Sequence, residues 1–371
     1  MIKVAISVNK CDSGGQKSLV MAYIRNFSPD KVKFDLIVDE DSNSIPFEEV
    51  EALGGHVYVV PPYQKIVSHM KALYQLYKRE QYDVLYAANN TMNIFPLFVA
   101  KMAGIKVRVS ESLTTASKLE KKKTMMKNVL KRFSHWFCNY YMANGIQSAE
   151  YQFGKSFTQK GKVAIFLNPV DAEKNDFSPL LRKETRKKFG WEDNVVYGTI
   201  ARFEKQKNPL FLIDVMNEIK NRQENAHFVI IGIGSMEQEM KAKIAEYGFG
   251  DEMSWLGRRE DIRQFYNAFD AFLLPSLYEG FPIVGVESQA AGLPVFFSDA
   301  ITREAGIEEL GHFIELSKSA KEWADIIISE TALLMKTRRG RKDYLKKNGF
   351  DAGSEAERLT QYFENAVKEQ K

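Results

Sequence analysis

Two carboxylates eight residues apart, Glu279 and Glu287 in the segment Tyr278–Glu287 (YEGFPIVGVE), have the spacing that most invites a chemical reading. Between them Gly280, Phe281 and Pro282 lie where an apolar run, AFLLP at 271–275, gives way to a helical pattern. Proline suits a first helical position because its missing N–H would have had no partner there. The spacing therefore predicts a helix opening at Pro282 and carrying Glu287 into its second turn. The free amides of a first helical turn, with the helix dipole behind them, make an anion seat.

Paired glutamates on a helix are ordinarily a solvated face, and two neighbouring features weigh against that here. After the apolar run VVYGTIA (195–201) comes ARFEKQKNP, with Arg202 and Lys207 five residues apart in a loop. The run HFVIIG (227–232) then ends in Gly-Ile-Gly, with Gly232 and Gly234, ahead of the helical pattern MEQEMKAKIAEYG. All three features fall just past the carboxyl end of an expected strand, the edge where open α/β sheets bind ligands. A turn carboxylate, an anion seat and a second carboxylate suit a ligand with hydroxyls at both ends and phosphate between. A nucleotide-diphosphate sugar is such a ligand.

These features together resemble the C-terminal half of the retaining GT-B glycosyltransferases, in particular the large family numbered four, of bacterial surface-polysaccharide type. The matching residues are R-x4-K at Arg202 and Lys207, G-x-G at Gly232 and Gly234, and LGRREDIRQFYNAFDAFLLPSLYEGFPIVGVESQAAGLPV from 256 to 295. The last run is the specific one, since a lone G-x-G is a weak signal. The likeness is dense over 195–304 and thin before residue 170. It implies two Rossmann-like parallel-sheet domains facing a cleft, with the C-terminal helix crossing back to the N-terminal domain. It also implies that Arg202 and Lys207 neutralise the leaving diphosphate and that Glu287 holds the ribose hydroxyls. By the same resemblance Glu279 would face the donor sugar, and the amides of Gly280, Phe281 and Ile283 would contact phosphate. Gly232 and Gly234 allow close backbone approach near the base. On the N-terminal side, Gly14 and Gly15 in KCDSGGQKS are read either as a phosphate approach or as a flexible turn.

The elements that must position these residues alternate strand and helix from end to end, which argues for an α/β fold with parallel sheets. First-half strands are expected at 3–8, 34–39, 56–60, 83–87, 106–110, 139–143 and 162–166. The stretch 168–179 lacks periodicity and carries prolines, so it reads as the interdomain linker. The expected division is 1–170, with 353–371 returning to it, and 171–352 as the donor domain. At 371 residues, 44% hydrophobic, the chain is long enough for two cores. Mean hydropathy is −0.33, no run of 18 apolar residues occurs, and the start MIKVAISVNK reads as a strand rather than a signal peptide. Cys11 and Cys138 lie far apart without metal-type spacing, and a reducing cytoplasm is the expected compartment.

Asp39 and Asp41 spell D-x-D, but a solvated turn is the better reading, and no metal or other cofactor is expected. No dinucleotide fingerprint closes around Gly14 and Gly15, which disfavours hydride transfer. The family's N-terminal histidine is missing: VRVSESLTTAS (107–117) offers Glu111, read either as an acceptor-side contact or as a loop carboxylate. His56 is expected to open a strand, with His69 and His135 on helices.

From Lys118 to Arg132 there are seven Lys/Arg and one Glu, interleaved with apolar residues and followed by Phe133, Trp136 and Phe137. The stretch 118–137 is read as an anionic-membrane contact, with a core-packed helix as the other reading. A net charge of +4 and the lack of a basic–aromatic platform argue against nucleic acid. The expected partners are a nucleotide-diphosphate sugar, UDP-linked, and a saccharide or lipid-linked saccharide acceptor. The expected place is the cytoplasm, peripheral on the inner membrane face. A nucleotide-sugar 2-epimerase and an inactive partner subunit are the rival readings.

Overall fold

The computed structural model describes residues 1–12, 15–113, 133 and 135–370. Seven parallel strands form the first sheet: β1 (Ile2–Val8), β2 (Val32–Asp39), β3 (His56–Val60), β4 (Val84–Ala87), β5 (Val107–Ser112), β6 (Tyr140–Ala143) and β7 (Ala164–Ile165). Their order is β3-β2-β1-β4-β5-β6-β7. Six parallel strands form the second: β8 (Val195–Ile200), β9 (Ala226–Ile231), β10 (Met253–Trp255), β11 (Ala271–Leu274), β12 (Val295–Ser298) and β13 (Gly311–Ile314), in the order β10-β9-β8-β11-β12-β13. Parallel sheets carry helices on both faces, so their strands bury both sides and read as continuous apolar runs. AHFVII and AFLL are buried at every position.

The chain divides into two compact units, 1–169 with 349–371 and 170–348. The last helix, Ala352–Glu369, belongs to the first unit. Ala356, Leu359, Phe363 and Ala366 recur at helical spacing and join the core that holds Val4, Ile6, Leu19 and Val109. Leu359 and Phe363 are fully buried, which contributes roughly 1.5–3 kcal/mol each. Asp351 starts this helix by accepting the Ser354 amide at 3.0 Å.

Two local expectations change. The stretch 168–179 contains a short helix, Ala172–Asn175, because Asp171 accepts the Lys174 amide at 2.8 Å and caps it. His135 sits in a turn, packed against Tyr141, Phe153 and Phe157, rather than on a helix. Among the described residues no helix is long and apolar enough to cross a membrane.

Candidate active site

In the second sheet the chain starts at β8, adds β9 and β10 on one side, then returns to add β11 on the other. The loops after β8 and β11 therefore flank the point where strand order reverses, the usual ligand crevice of doubly wound sheets. Residues 201–208 follow β8. The turn Lys205–Lys207 ends at Asn208, whose positive φ of 53° redirects the chain into the helix Pro209–Lys220.

Two hydrogen bonds stitch this loop to the one after β11. The Leu277 amide donates to the Gln206 carbonyl at 2.8 Å, and Gln206 Nε2 donates to the Tyr278 carbonyl at 2.9 Å. That register brings Lys207 Nζ onto Glu279 Oε1, where Ser276 Oγ also donates at 2.9 Å. Both charged side chains are largely buried, so water screens their attraction weakly. Arg202 differs: it is exposed, and no ion pair or hydrogen bond engages its guanidinium among the described residues. Its near neighbour Glu204 is occupied instead by Ser235, accepting the hydroxyl at 2.6 Å and the amide at 3.2 Å. Those bonds hold the Glu204 carboxyl below the usual range, with the Arg202 charge adding to them.

Gly232 and Gly234 meet the backbone of the β8 loop. A Cβ on Gly232 would lie 1.8 Å from the Ala201 carbonyl oxygen, and one on Gly234 would lie 2.3 Å from that of Phe203. The close approach required of these glycines is thus to the protein's own chain, closed by the Phe203 amide donating to Ile233 at 3.0 Å.

The helix after β11 spans Ile283–Ala290, one residue later than expected, with Pro282 as its cap; the Pro282 carbonyl accepts from Gly285 at 3.0 Å. Among the described residues no hydrogen bond engages the amides of Gly280, Ile283 or Val284, so an anion seat is available there. Phe281 is buried, and Gly285 lets the helix pack onto Phe297 of β12.

Glu287 accepts the Tyr266 hydroxyl at 2.8 Å. Burial pushes its carboxyl up to about 7, against the pull of that hydroxyl and of Lys174. Gln206, Ser276, Glu204 and Tyr266 were absent from the expectations. Gln206 sits beside Lys207 in the sequence, but Tyr266 lies 21 residues from Glu287 on another helix and has no local signal.

In the first unit Gly15 opens the helix Gly15–Ile24, while Gly14 lies outside the described residues. Glu111 is fully buried on β5 with Tyr86 donating to Oε2, and burial pushes it up to about 8. Glu111 thus stands on a strand, with its carboxyl enclosed, rather than in a loop. Asp39 turns inward to the Tyr63 amide at 3.3 Å, whereas Asp41 pairs with Lys10 at 2.8 Å, so the two face different partners. Among the described residues no three His, Cys, Asp or Glu side chains are grouped to hold a metal ion. Cys11 and Cys138 are buried and not disulfide-bonded to each other. Most of the basic stretch 118–137 lies outside the described residues; within it Trp136 is exposed.

Two doubly wound parallel sheets, with the last helix returned to the first unit, define the GT-B fold. Within it, residues 182–348 match the family described as glycosyl transferases group 1, so the second unit carries a domain of that family. EpsF of Bacillus subtilis (strain 168), named provisionally as a glycosyltransferase, is 28% identical over 91% of this chain and 90% of its own length. The UDP-Gal:alpha-D-GlcNAc-diphosphoundecaprenol alpha-1,3-galactosyltransferase of Escherichia coli is 28% identical over 63% of this chain and 62% of its own. Among solved structures, Anabaena Alr3699/HepE in complex with UDP-glucose superposes with a TM-score of 0.80, over 98% of this chain and 100% of that one, at 18% identity. That likeness bears on the fold.

Proposed function

We propose that this chain is a retaining glycosyltransferase that moves a sugar from a UDP-linked donor to a saccharide or lipid-linked saccharide in bacterial surface-polysaccharide synthesis. One observation carries the reading. At the switch point of the matched domain, exposed Arg202, the Lys207–Glu279 pair and the open amides of Gly280 and Ile283 lie on two loops stitched together through Gln206. The named substrates of the Escherichia coli relative and the UDP-glucose held by the Anabaena protein support UDP as carrier and a lipid-linked acceptor.

In this reading the bond from the sugar's anomeric carbon to the phosphate oxygen breaks as the acceptor oxygen bonds to the same face. The acceptor proton passes to the departing phosphate, so no dedicated base is needed. Arg202 and Lys207 offset the charge growing on the diphosphate, often the largest single contribution in group transfer. The amides of Gly280 and Ile283 cradle phosphate, Glu279 orients the sugar hydroxyls, and Glu287 accepts from the ribose. With two cations in place the reaction runs without metal. The basic stretch 118–137 holds the protein on an anionic membrane face, each basic residue adding roughly 1 kcal/mol.

The test is calorimetric binding of UDP, GDP and ADP with chelator present, followed by turnover with the matching sugar nucleotides. Tight UDP binding lost in Glu287→Ala, with an acceptor-dependent product of unchanged anomeric configuration, is the expected result. Conversion of donor without acceptor would make the chain an epimerase, and no nucleotide binding would make it an inactive partner. Recovery of activity only with a divalent ion would overturn metal independence. Failure to float with anionic liposomes at low salt would remove the membrane contact.

A further inference from the structure

A carboxylate that accepts from two neighbouring hydroxyls must present both oxygens in one orientation, and a glutamate on the second turn of a helix has three torsions with which to miss. Glu287 is not left to choose. The Tyr266 hydroxyl, on the helix Arg263–Ala268, donates to Oε2 at 2.8 Å, and no hydrogen bond engages Oε1 among the described residues. Tyr266 is 1% exposed and packs edge-on against Phe272 of β11, with ring centres 6.0 Å apart. Arg338 fixes the two helices to each other. It donates to the Tyr266 carbonyl at 2.7 Å, to Phe269 at 2.6 Å and to Ala291, just past the Glu287 helix, at 3.0 Å.

We propose that Tyr266 is a positioning residue for the nucleotide-sugar donor: its buried hydroxyl locks Glu287 so that Oε1 and the second lone pair of Oε2 meet the ribose hydroxyls. This rests on the donor-site reading above. A carboxylate oxygen accepts at two lone-pair sites, so Tyr266 orients the group without consuming it. The hydroxyl also bears on the charge. Burial pushes Glu287 up to about 7, while Tyr266 and then Lys174, on the short helix Ala172–Asn175, favour the ionised form.

Few other charged groups bear on it. Glu173, on the same short helix as Lys174, is taken by Lys346 at 2.6 Å, and Arg263 lies one turn before Tyr266. The strands AFLL and VFFS beneath contribute no titratable side chain. Tyr266→Phe removes one donor and keeps the ring, so it raises the Glu287 pKa further and leaves the packing in place.

The experiment is calorimetric UDP binding from pH 6 to 9 for wild type, Tyr266→Phe and Glu287→Gln. Comparing variant with wild type at each pH cancels the titration of UDP itself. The expected result is a loss of about tenfold at pH 7 in Tyr266→Phe: about fivefold from a midpoint moved up by about one pH unit, regained at pH 9, and about twofold from lost orientation, which persists. Glu287→Gln should bind weakly with little of that dependence. An equal loss at every pH, or none, in Tyr266→Phe beside a weakened Glu287→Gln would overturn the positioning role alone. Glu287→Gln that binds UDP like wild type would overturn the donor-site reading beneath it.

Discussion

Lys207 and Glu279, 72 residues apart in the chain, form a largely buried ion pair, so the Lys207 ammonium can reach a diphosphate only by sharing or leaving its carboxylate partner. Arg202 has no such competitor among the described residues. The two cations should therefore act at different stages. Arg202→Ala should weaken UDP binding about tenfold, the loss of one charge-assisted contact. Lys207→Ala should lower kcat by roughly 10²-fold while changing the UDP affinity less. Calorimetry beside a UDP-release assay separates the two; equal effects of both variants on both quantities would contradict the division.

Removing the acid has a second consequence. Glu279→Ala leaves the Lys207 ammonium without its carboxylate in a site where its side chain is 19% exposed. An uncompensated, mostly buried charge should cost about 2 kcal/mol, less than for a fully enclosed pair because some water remains. Thermal unfolding of the second unit should register it, and Lys207→Met with Glu279→Ala together should restore much of the loss.

Gly232→Ala is expected to be severe. Its φ of 134° and a Cβ placed 1.8 Å from the Ala201 carbonyl oxygen force the G-x-G loop away from the β8 loop. A loss above about 3 kcal/mol, or roughly 6–12 °C in Tm, follows. Gly54→Ala is the control: φ is 84° but nothing lies within 4 Å, so the cost should stay near 1 kcal/mol. Similar Tm values for the two variants would show that the backbone contact is not what requires glycine.

Glu111 should make the first unit less stable as pH rises. Burial raises its pKa from 4.5 to about 8, so the folded state keeps a proton that the unfolded chain releases. That contribution is complete below about pH 4.5 and disappears as pH climbs through 8. Asp39, raised to about 7, acts with the same sign. Denaturant unfolding at pH 5, 7 and 9 should show Glu111→Gln losing on the order of 2–4 kcal/mol less than wild type. Parallel pH curves would mean that Glu111 does not carry the effect.

Ser319 begins the helix Ala320–Leu334 with a capping box, accepting the Glu322 amide at 3.3 Å while Glu322 Oε2 accepts the Ser319 amide at 2.9 Å. Ser319→Ala should cost about 1 kcal/mol, a Tm decrease of roughly 2–4 °C, with UDP affinity unchanged. A Tm within error of wild type would show that the cap contributes nothing here.

Much of this architecture was legible because parallel strands buried on both faces leave uninterrupted apolar runs such as FVII and AFLLP. The segment YEGFPIVGVE was legible for a local reason, since strand end, turn and helix start follow within ten residues. What escaped reading depends on contacts between distant segments. Gln206 shows no sign in sequence of bonding to Tyr278, nor Tyr266 of reaching Glu287. Gly232 and Gly234 were visible as close-approach glycines, but which chain approaches them is decided by the packing of one loop on another. Glu111 reads in sequence as an acceptor-side contact or a loop carboxylate, and only the overlying core shows it to be enclosed.

The last helix has a bearing on how the protein is made. Because Ala352–Glu369 completes the core begun by β1, the first unit is discontinuous, and residues 170–348 form one uninterrupted stretch inside it. On a ribosome adding about 5–20 residues per second, the inner unit can finish folding while the outer one still lacks a wall. The amino-terminal half must wait, with Leu19 and Tyr23 uncovered, until residues 352–369 have been made. A premature stop near residue 350 would thus damage the end of the protein made first.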